Sequence, residues 1–539
     1  MMRRAIVVVS CAALAGCGGG GSSSAALPAS NATAGSSVPA TTTARFTITV
    51  PPSSTQSTSR APKYVSSSTQ SIVIALGTVN GTAFTGTPSS IATNLTLSNP
   101  SCTLVSGALT CIVNGPAVPG NDMYTVATYD AQQTSSSPAT PAGNLLSTAT
   151  VPVNIVAGQA NAPATPLVLN GVAASITATF PADPHISGSQ GAGYAIVGNR
   201  PYTLTFSAKD ASGATIVGVG APTFIVQSGS SAAAVSPASG NTYTVQVQRY
   251  SATPVTVTVT PSQGSAANVT LTTVQELWVA DNSASAVRGY VPGTNTPIAA
   301  DTISVNAPIG LAFDASGQLW VANSGTNTVT AYVPGTNTPI AADTISASVN
   351  GPTGIAFDAS GQLWVANGGT NTVTAYVPGT NTPVAADTIN AGVNGPVGLA
   401  VDASGQVWVS NFNNNNVTAY APGTNTPIAA DTISVGGPQG LAFDASGHLW
   451  VFDFNNNTFT AYVPGSSTPI AADTINLPLI PFLAYGIGFD ASGNLWTTNS
   501  ANSTDNTVTA YVPGTNTPIA ADTIILSAPF QPTGLAFSP

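Results

Sequence analysis

The chain has 539 residues, a formal net charge of −10 and 5% charged residues, against roughly 25% in an ordinary soluble domain. One glutamate, Glu276, serves the whole sequence; the missing basic surface argues against nucleic-acid binding, and the missing charged residues exclude coiled coils and charged amphipathic helices. With 43% hydrophobic residues the chain can still build cores.

Met1–Arg4 is a positive start, Ala5–Ala15 a short apolar run, and Gly16-Cys17 a small-residue cleavage site. That is the layout of a secretory signal, with an apolar run too short to span a bilayer. Leu14-Ala15-Gly16-Cys17 resembles the lipobox of bacterial lipoproteins, which implies cleavage before Cys17 and lipidation of that cysteine. The alternative is an ordinary secretory signal with a chance cysteine. Residues 1–16 are therefore read as signal peptide. Residues 17–43, Gly/Ser-only over Gly18–Ser24 and then Ser/Thr/Pro/Ala-rich, are read as a flexible tether. The expected setting is the bacterial cell envelope, periplasmic or surface-exposed, with the lipid bilayer as a partner. There, Cys102 and Cys111, on two β-type runs around Ser106-Gly107, are expected to form a disulfide. No second Cys pair or nearby His supports zinc.

From residue 44 to 273 short runs alternate apolar residues with Thr, Ser or Gln, as in Phe46–Val50, Ser71–Leu76, Tyr124–Tyr129, Tyr202–Phe206, Tyr243–Val247 and Val255–Val259. Each run predicts a strand with one buried and one wet face. The spacing predicts antiparallel sandwiches, and the length is too great for one. We divide it near Leu169–Gly171 into two Ig-like β-sandwich modules, 44–170 and 171–273. They read as spacers; an independent partner surface is the rival reading.

Residues 274–539 are a repeat array. All six Trp lie here, at 278, 320, 364, 408, 450 and 496, separated by 42, 44, 44, 42 and 46 residues. In the third unit the β-type runs are a (Gly354–Phe357), b (Leu363–Ala366), c (Val373–Tyr376) and d (Val384–Ile389). The a–b turn Asp358-Ala-Ser-Gly361 pairs an acceptor with a residue tolerant of positive φ, and Pro378-Gly379 reads as a type II turn. Strands a and b are apolar on both faces, as in a sheet held between two others. The first unit, beginning at Glu276-Leu-Trp278, lacks an a strand, and an orphan a strand, Gly534–Phe537, follows the last unit. The expected fold is therefore all-β: two Ig-like modules followed by a six-bladed β-propeller with 1+3 strand closure.

The unit Gly-Leu/Ile-Ala-Phe-Asp-x-x-Gly-x-Leu-Trp-Val-Ala-Asn, followed by Asn-Thr-Val-Thr-Ala-Tyr, resembles the NHL repeat and the related YVTN-type repeat. The resemblance covers 276–539 and none of 1–273. It implies a propeller and leaves function open, since such families include scaffolds, enzymes similar to streptogramin lyase or gluconolactonase, and many surface lipoproteins.

On a propeller the b–c and d–a loops share one face, and here that face varies between units while the other repeats. Candidate ligand residues on it are Thr353, Gln439 and Tyr485 before the inner-strand glycines, and Asn413, Asn455 and Asn502 in the Asn-rich b–c loops. Neutral amides suit a glycan or a peptide backbone, and Asn also simply fills left-handed turn positions. Asp281 and Asp453 end b strands and are the candidate calcium ligands; capping of their own turns is the plainer reading. No other cofactor is expected. The six Trp, recurring in register, read as wedges between blades. Fifteen acids face one basic residue, Arg288, in the array; its one histidine, His448, falls in an a–b turn on the repeated face, and the acids of the varied loops, Asp281, Asp453 and Asp505, have no cationic or His partner nearby in sequence for acid–base chemistry. The sequence thus suggests a membrane-anchored, non-enzymatic binding propeller with an envelope glycan or protein as partner. A propeller enzyme and a structural envelope protein are the alternatives.

Overall fold

The computed structural model describes residues 41–52, 65–137, 140–218, 220–251, 253–336, 338–477, 486–500, 506–515, 517–526 and 530–539. Cys17, Tyr485 and Asn502, with the signal and most of the tether, lie outside them.

The first unit holds two sheets on one core. Strand Thr43–Val50 sits between Ala108–Gly115 and the short Ala160–Asn161, with Cys102–Val105 at the far edge. The facing sheet runs Asn170–Gly171, Leu145–Ile155, Gly120–Tyr129, Ser71–Val79, Thr82–Ala83, with Ser90–Asn94 also against Ser71–Val79. Period-two alternation turns Ala44, Phe46, Ile48 and Val50 inward, where Phe46 meets Tyr124 edge-on at 5.2 Å between ring centres. Cys102 and Cys111 stand opposite each other in register and are disulfide-bonded.

The second unit repeats the plan. One sheet is Ser175–Thr179, Pro201–Lys209, Thr242–Val247, Ala233–Ser239; the other is Ile186–Ser189, Gly193–Val197, Ala267–Val274, Val255–Pro261, Phe224–Ser228. Leu204, Phe206, Val245 and Val257 centre its core. Leu169 packs in the first core and Ala173 in the second.

Six sheets follow. The middle strands are buried at every residue in five of the sheets, as in Leu319–Asn323 and Leu363–Asn367, and in the fifth sheet at all but Asp453. Each Trp packs on the next sheet: Trp320 meets Phe357 at 5.6 Å, Trp450 meets Phe489 at 5.9 Å, and Trp496 meets Phe537 at 5.6 Å. The first sheet is ordered Pro297–Ser304, Ala286–Tyr290, Leu277–Asp281, Pro532–Phe537. Leu277 stands opposite Phe537 and Val279 opposite Leu535. Inner strands of neighbouring sheets cross closely. A Cβ on Gly310 would lie 2.2 Å from the Thr353 carbonyl oxygen, and one on Gly534 2.1 Å from that of Ile309. Only glycine permits that approach.

The outermost run departs from expectation. In the third, fourth and sixth sheets the Ala-Ala-Asp of run d is a 3-10 turn (Ala385–Asp387, Ala429–Asp431, Ala520–Asp522) rather than a strand. The same residues are strand in the first, second and fifth sheets. Ala and Asp are poor strand formers, and at an outer edge only one neighbour holds them. The anchor common to both forms is the buried isoleucine that follows, such as Ile345, Ile389 and Ile433.

Candidate functional site

The a–b turns use their carboxylates internally. Asp358 Oδ1 accepts the N–H groups of Ser360 and Gln362, and Oδ2 accepts the Trp364 indole N–H at 3.0 Å. Burial pushes the Asp358 carboxyl up, but the bonds from Ser360, Trp364 and the backbone outweigh it and hold the group below its usual value. The same indole-to-Asp bond recurs from Trp320, Trp408, Trp450 and Trp496. The d-run aspartates link sheets: Asp387 Oδ1 accepts the Gly423 N–H at 2.9 Å, and Asp431 Oδ1 that of Gly465 at 2.5 Å. Asn381 and Asn425 in the c–d turns each accept two backbone N–H groups from the preceding sheet.

On the other face the residues ending the b strands cap their turns. Asn367 and Asn411 donate to Thr374 and Thr418 on the neighbouring strand and accept the N–H groups of Asn350 and Asn394. Asp281 Oδ1 accepts from Ser283, Ala284 and Gln531, and Oδ2 is ion-paired with Arg288 at 2.8 Å. That partner, seven residues away, corrects the expectation that Asp281 stands without a cation. Asp453 accepts from Asn456 and Gly436. Thr353 Oγ1 donates to the Pro396 carbonyl at 2.9 Å, stitching one inner strand to the next, and Gln439 is buried. Asn413 and Asn455 are exposed. Asn413 Nδ2 donates to Asn394 at 3.2 Å.

Between them the loops hold a feature the sequence reading missed. Phe412, in the 3-10 turn Phe412–Asn414, and Phe454 on the adjacent sheet are half-buried, with ring centres 5.9 Å apart and planes tilted by 56°. The available signal was a local break of the repeat, for the residue after the b strand is Asn282, Ser324, Gly368 and Ser500 in the other units.

A second cluster joins the second unit to the first propeller sheet. Arg200 donates to Glu276 Oε2 at 2.8 Å and Asp301 Oδ1 at 3.0 Å, and its Nη1 lies 2.8 Å from His185 Nε2. His185 Nδ1 pairs with Asp183 at 2.7 Å and Nε2 with Asp301 Oδ2. Burial, then Asp301, pushes the Glu276 carboxyl well above the usual range, against the pull of Arg200. Burial also opposes ionisation of Asp301, but His185, Glu276 and Arg200 hold its carboxyl down at about 2. His185, Glu276 and Asp301 are the one group of three metal-ligating side chains close together among the described residues, and Asp281 and Asp453 belong to none. The set does not fit a metal ion, because the Arg200 guanidinium already places its positive charge against all three. The signal in the sequence was again a break in pattern: Ser538 follows Phe537 where Asp follows the other five inner strands.

Residues 393–420 match the family model of the NHL repeat. With the six recurring sheets of three or four strands, this match supports a propeller repeat protein. No curated protein matches the chain in sequence. Among solved structures, a chain of the nidogen/laminin complex shares 17% identity over 49% of this chain and 98% of its own, with a TM-score of 0.42. Virginiamycin B lyase from Staphylococcus aureus shares 12% over 41% and 70%, TM-score 0.31. A putative 6-phosphogluconolactonase from Bacteroides fragilis shares 13% over 49% and 98%, TM-score 0.38.

Proposed function

We propose that this protein is a lipid-anchored, extracytoplasmic binding protein. Cys17 carries the lipid, residues 17–43 are the tether, and two Ig-like modules (44–170 and 171–273) hold a closed six-bladed propeller (274–539) away from the membrane. Its ligand, a glycan or a peptide, is taken on the face of the b–c loops. One observation carries the reading: that face presents exposed amides on loops that differ from unit to unit, Asn413 and Asn455 among them, while the repeated carboxylates of the opposite face are hydrogen-bonded into the scaffold. Neutral amides recognise hydroxyls and peptide groups, and varied loops on a rigid repeated frame are where specificity is built.

The test is an array of bacterial-envelope glycans and peptides probed with the mature chain, beside an envelope pull-down. Binding of one class is the expected result. No binding in either assay overturns the binding role and favours a structural envelope protein. Replacing Cys17 with Ala should release the protein from membranes; continued membrane retention would overturn the anchor.

A further inference from the structure

We infer that Phe412 and Phe454, with Asn413 and Asn455, form a platform for a neutral oligosaccharide. The inference rests on the binding role proposed above and narrows it to one ligand class and one place. Five observations converge. The two aromatic residues occur in adjacent sheets at a position that is small or polar in the other units, so the packing of the repeat does not require them. Both rings are partly buried, Phe454 with one side against the core of its own sheet, and each keeps some aromatic surface open to solvent. Their 5.9 Å separation and 56° tilt make an open V rather than a closed stack. Gly437 lies beneath them, where a Cβ would come within 3.2 Å of Phe412 Cε2 and 3.4 Å of Phe454 Cβ, and its φ of +59° suits glycine. Exposed Asn413 and Asn455 follow each ring in sequence.

The chemistry selects the ligand. Aromatic faces pack against the apolar C–H faces of sugar rings, and primary amides offer a donor and an acceptor to neighbouring hydroxyls. The converging loops, 392–396, 411–416, 434–438 and 453–457, carry one ionisable residue, Asp453. It is already bonded to Asn456 and Gly436. A phosphorylated or otherwise anionic ligand would find no counter-charge there, whereas an uncharged sugar needs none.

Titration of the full mature chain with cellohexaose, chitohexaose and mannohexaose, by calorimetry and saturation-transfer NMR, tests it. At least one should bind, with F412A and F454A each weakening binding about tenfold and the double variant abolishing it. N455A should weaken it about threefold and F412W should retain it. Equal melting temperatures across the variants would show that the fold is intact; F530A, on another loop, is the control. Oligosaccharide binding that survives the double variant overturns this platform and leaves the binding role standing. A wild-type chain that binds peptides and none of the sugars overturns the carbohydrate assignment alone. Failure with both sugars and peptides overturns both proposals.

Discussion

The first propeller sheet and the other five solve one problem differently. In the other five, the aspartate of the a–b turn receives the indole N–H of that sheet's Trp, as in Trp408 to Asp402 at 3.0 Å. In the first sheet the inner strand comes from Pro532–Phe537 and is followed by Ser538, so this aspartate does not exist. Glu276 stands nearby: its carboxyl feels the Trp278 indole, yet Trp278 Nε1 and Glu276 Oε1 both remain without a hydrogen-bond partner. The buried carboxyl is instead compensated by Arg200, reaching in from the second unit. Ser538 then becomes the junction, accepting the Glu276 N–H at 3.0 Å and bonding Tyr250 at 2.6 Å. Five sheets are stabilised by their own turns, and the first is completed by residues from elsewhere in the chain. The lesson is that a break in a repeat draws its missing partners from elsewhere in the chain.

The strand that sets the first sheet apart is where the largest loss of stability is expected. Deleting residues 532–539 removes buried Leu535 and the Phe537 contact with Trp496. It should destabilise all of 274–539, on the order of 5 kcal/mol, with one cooperative early melt in calorimetry; an unchanged melt would refute the pairing as a closure. Next in size, Arg200→Met leaves Glu276 and Asp301 buried without their cation. It should cost about 3 kcal/mol in urea unfolding, whereas Arg249→Met, at a surface arginine bonded to Ser231, should cost little.

Smaller losses are expected at the a–b turns. Asp358→Ala or Asp402→Ala orphans an indole N–H and should cost about 1–2 kcal/mol each by the same measurement. Ser538→Asp is expected to gain nothing of the kind, because it places a further carboxylate beside Glu276. The first sheet should also carry a pH signature of its own. Asp301 has a folded pKa of about 2, lowered from 3.8. Its contribution to stability is therefore present above the unfolded value and lost as pH falls from about 4 towards 2. Asp301→Asn should flatten that limb of the stability curve in urea melts between pH 5 and 2. Least, Asn425→Ala removes a cap accepting two exposed backbone N–H groups and should cost about 0.5 kcal/mol.

Much of the architecture was legible because it is local and repeated. Period-two alternation marked Phe46–Val50 and Tyr202–Phe206, and the register of Trp with Asp-Ala-Ser-Gly marked the four-run unit. The turn residues carry their geometry in their own chemistry, so Asp358 and Gly361 read correctly from the chain alone. Run d was less legible, because Ala-Ala-Asp at an edge is close to indifferent between strand and 3-10 turn. Of the candidate site, Asn413 and Asn455 were singled out by composition. The Phe412–Phe454 pair was not, since two residues 42 positions apart meet only when adjacent sheets stack.

By itself, then, the sequence determined the all-β class, the repeat and its strand pattern, and the pairing of Cys102 with Cys111, all of which follow from side-chain periodicity and short separations. The tertiary structure alone decided which carboxylates are already engaged and which residues meet at the junction. His185, Arg200, Glu276 and Asp301 are spread over 116 residues, and no local rule relates them. Their association depends on burial, where an ionised group must find a partner wherever the fold brings one.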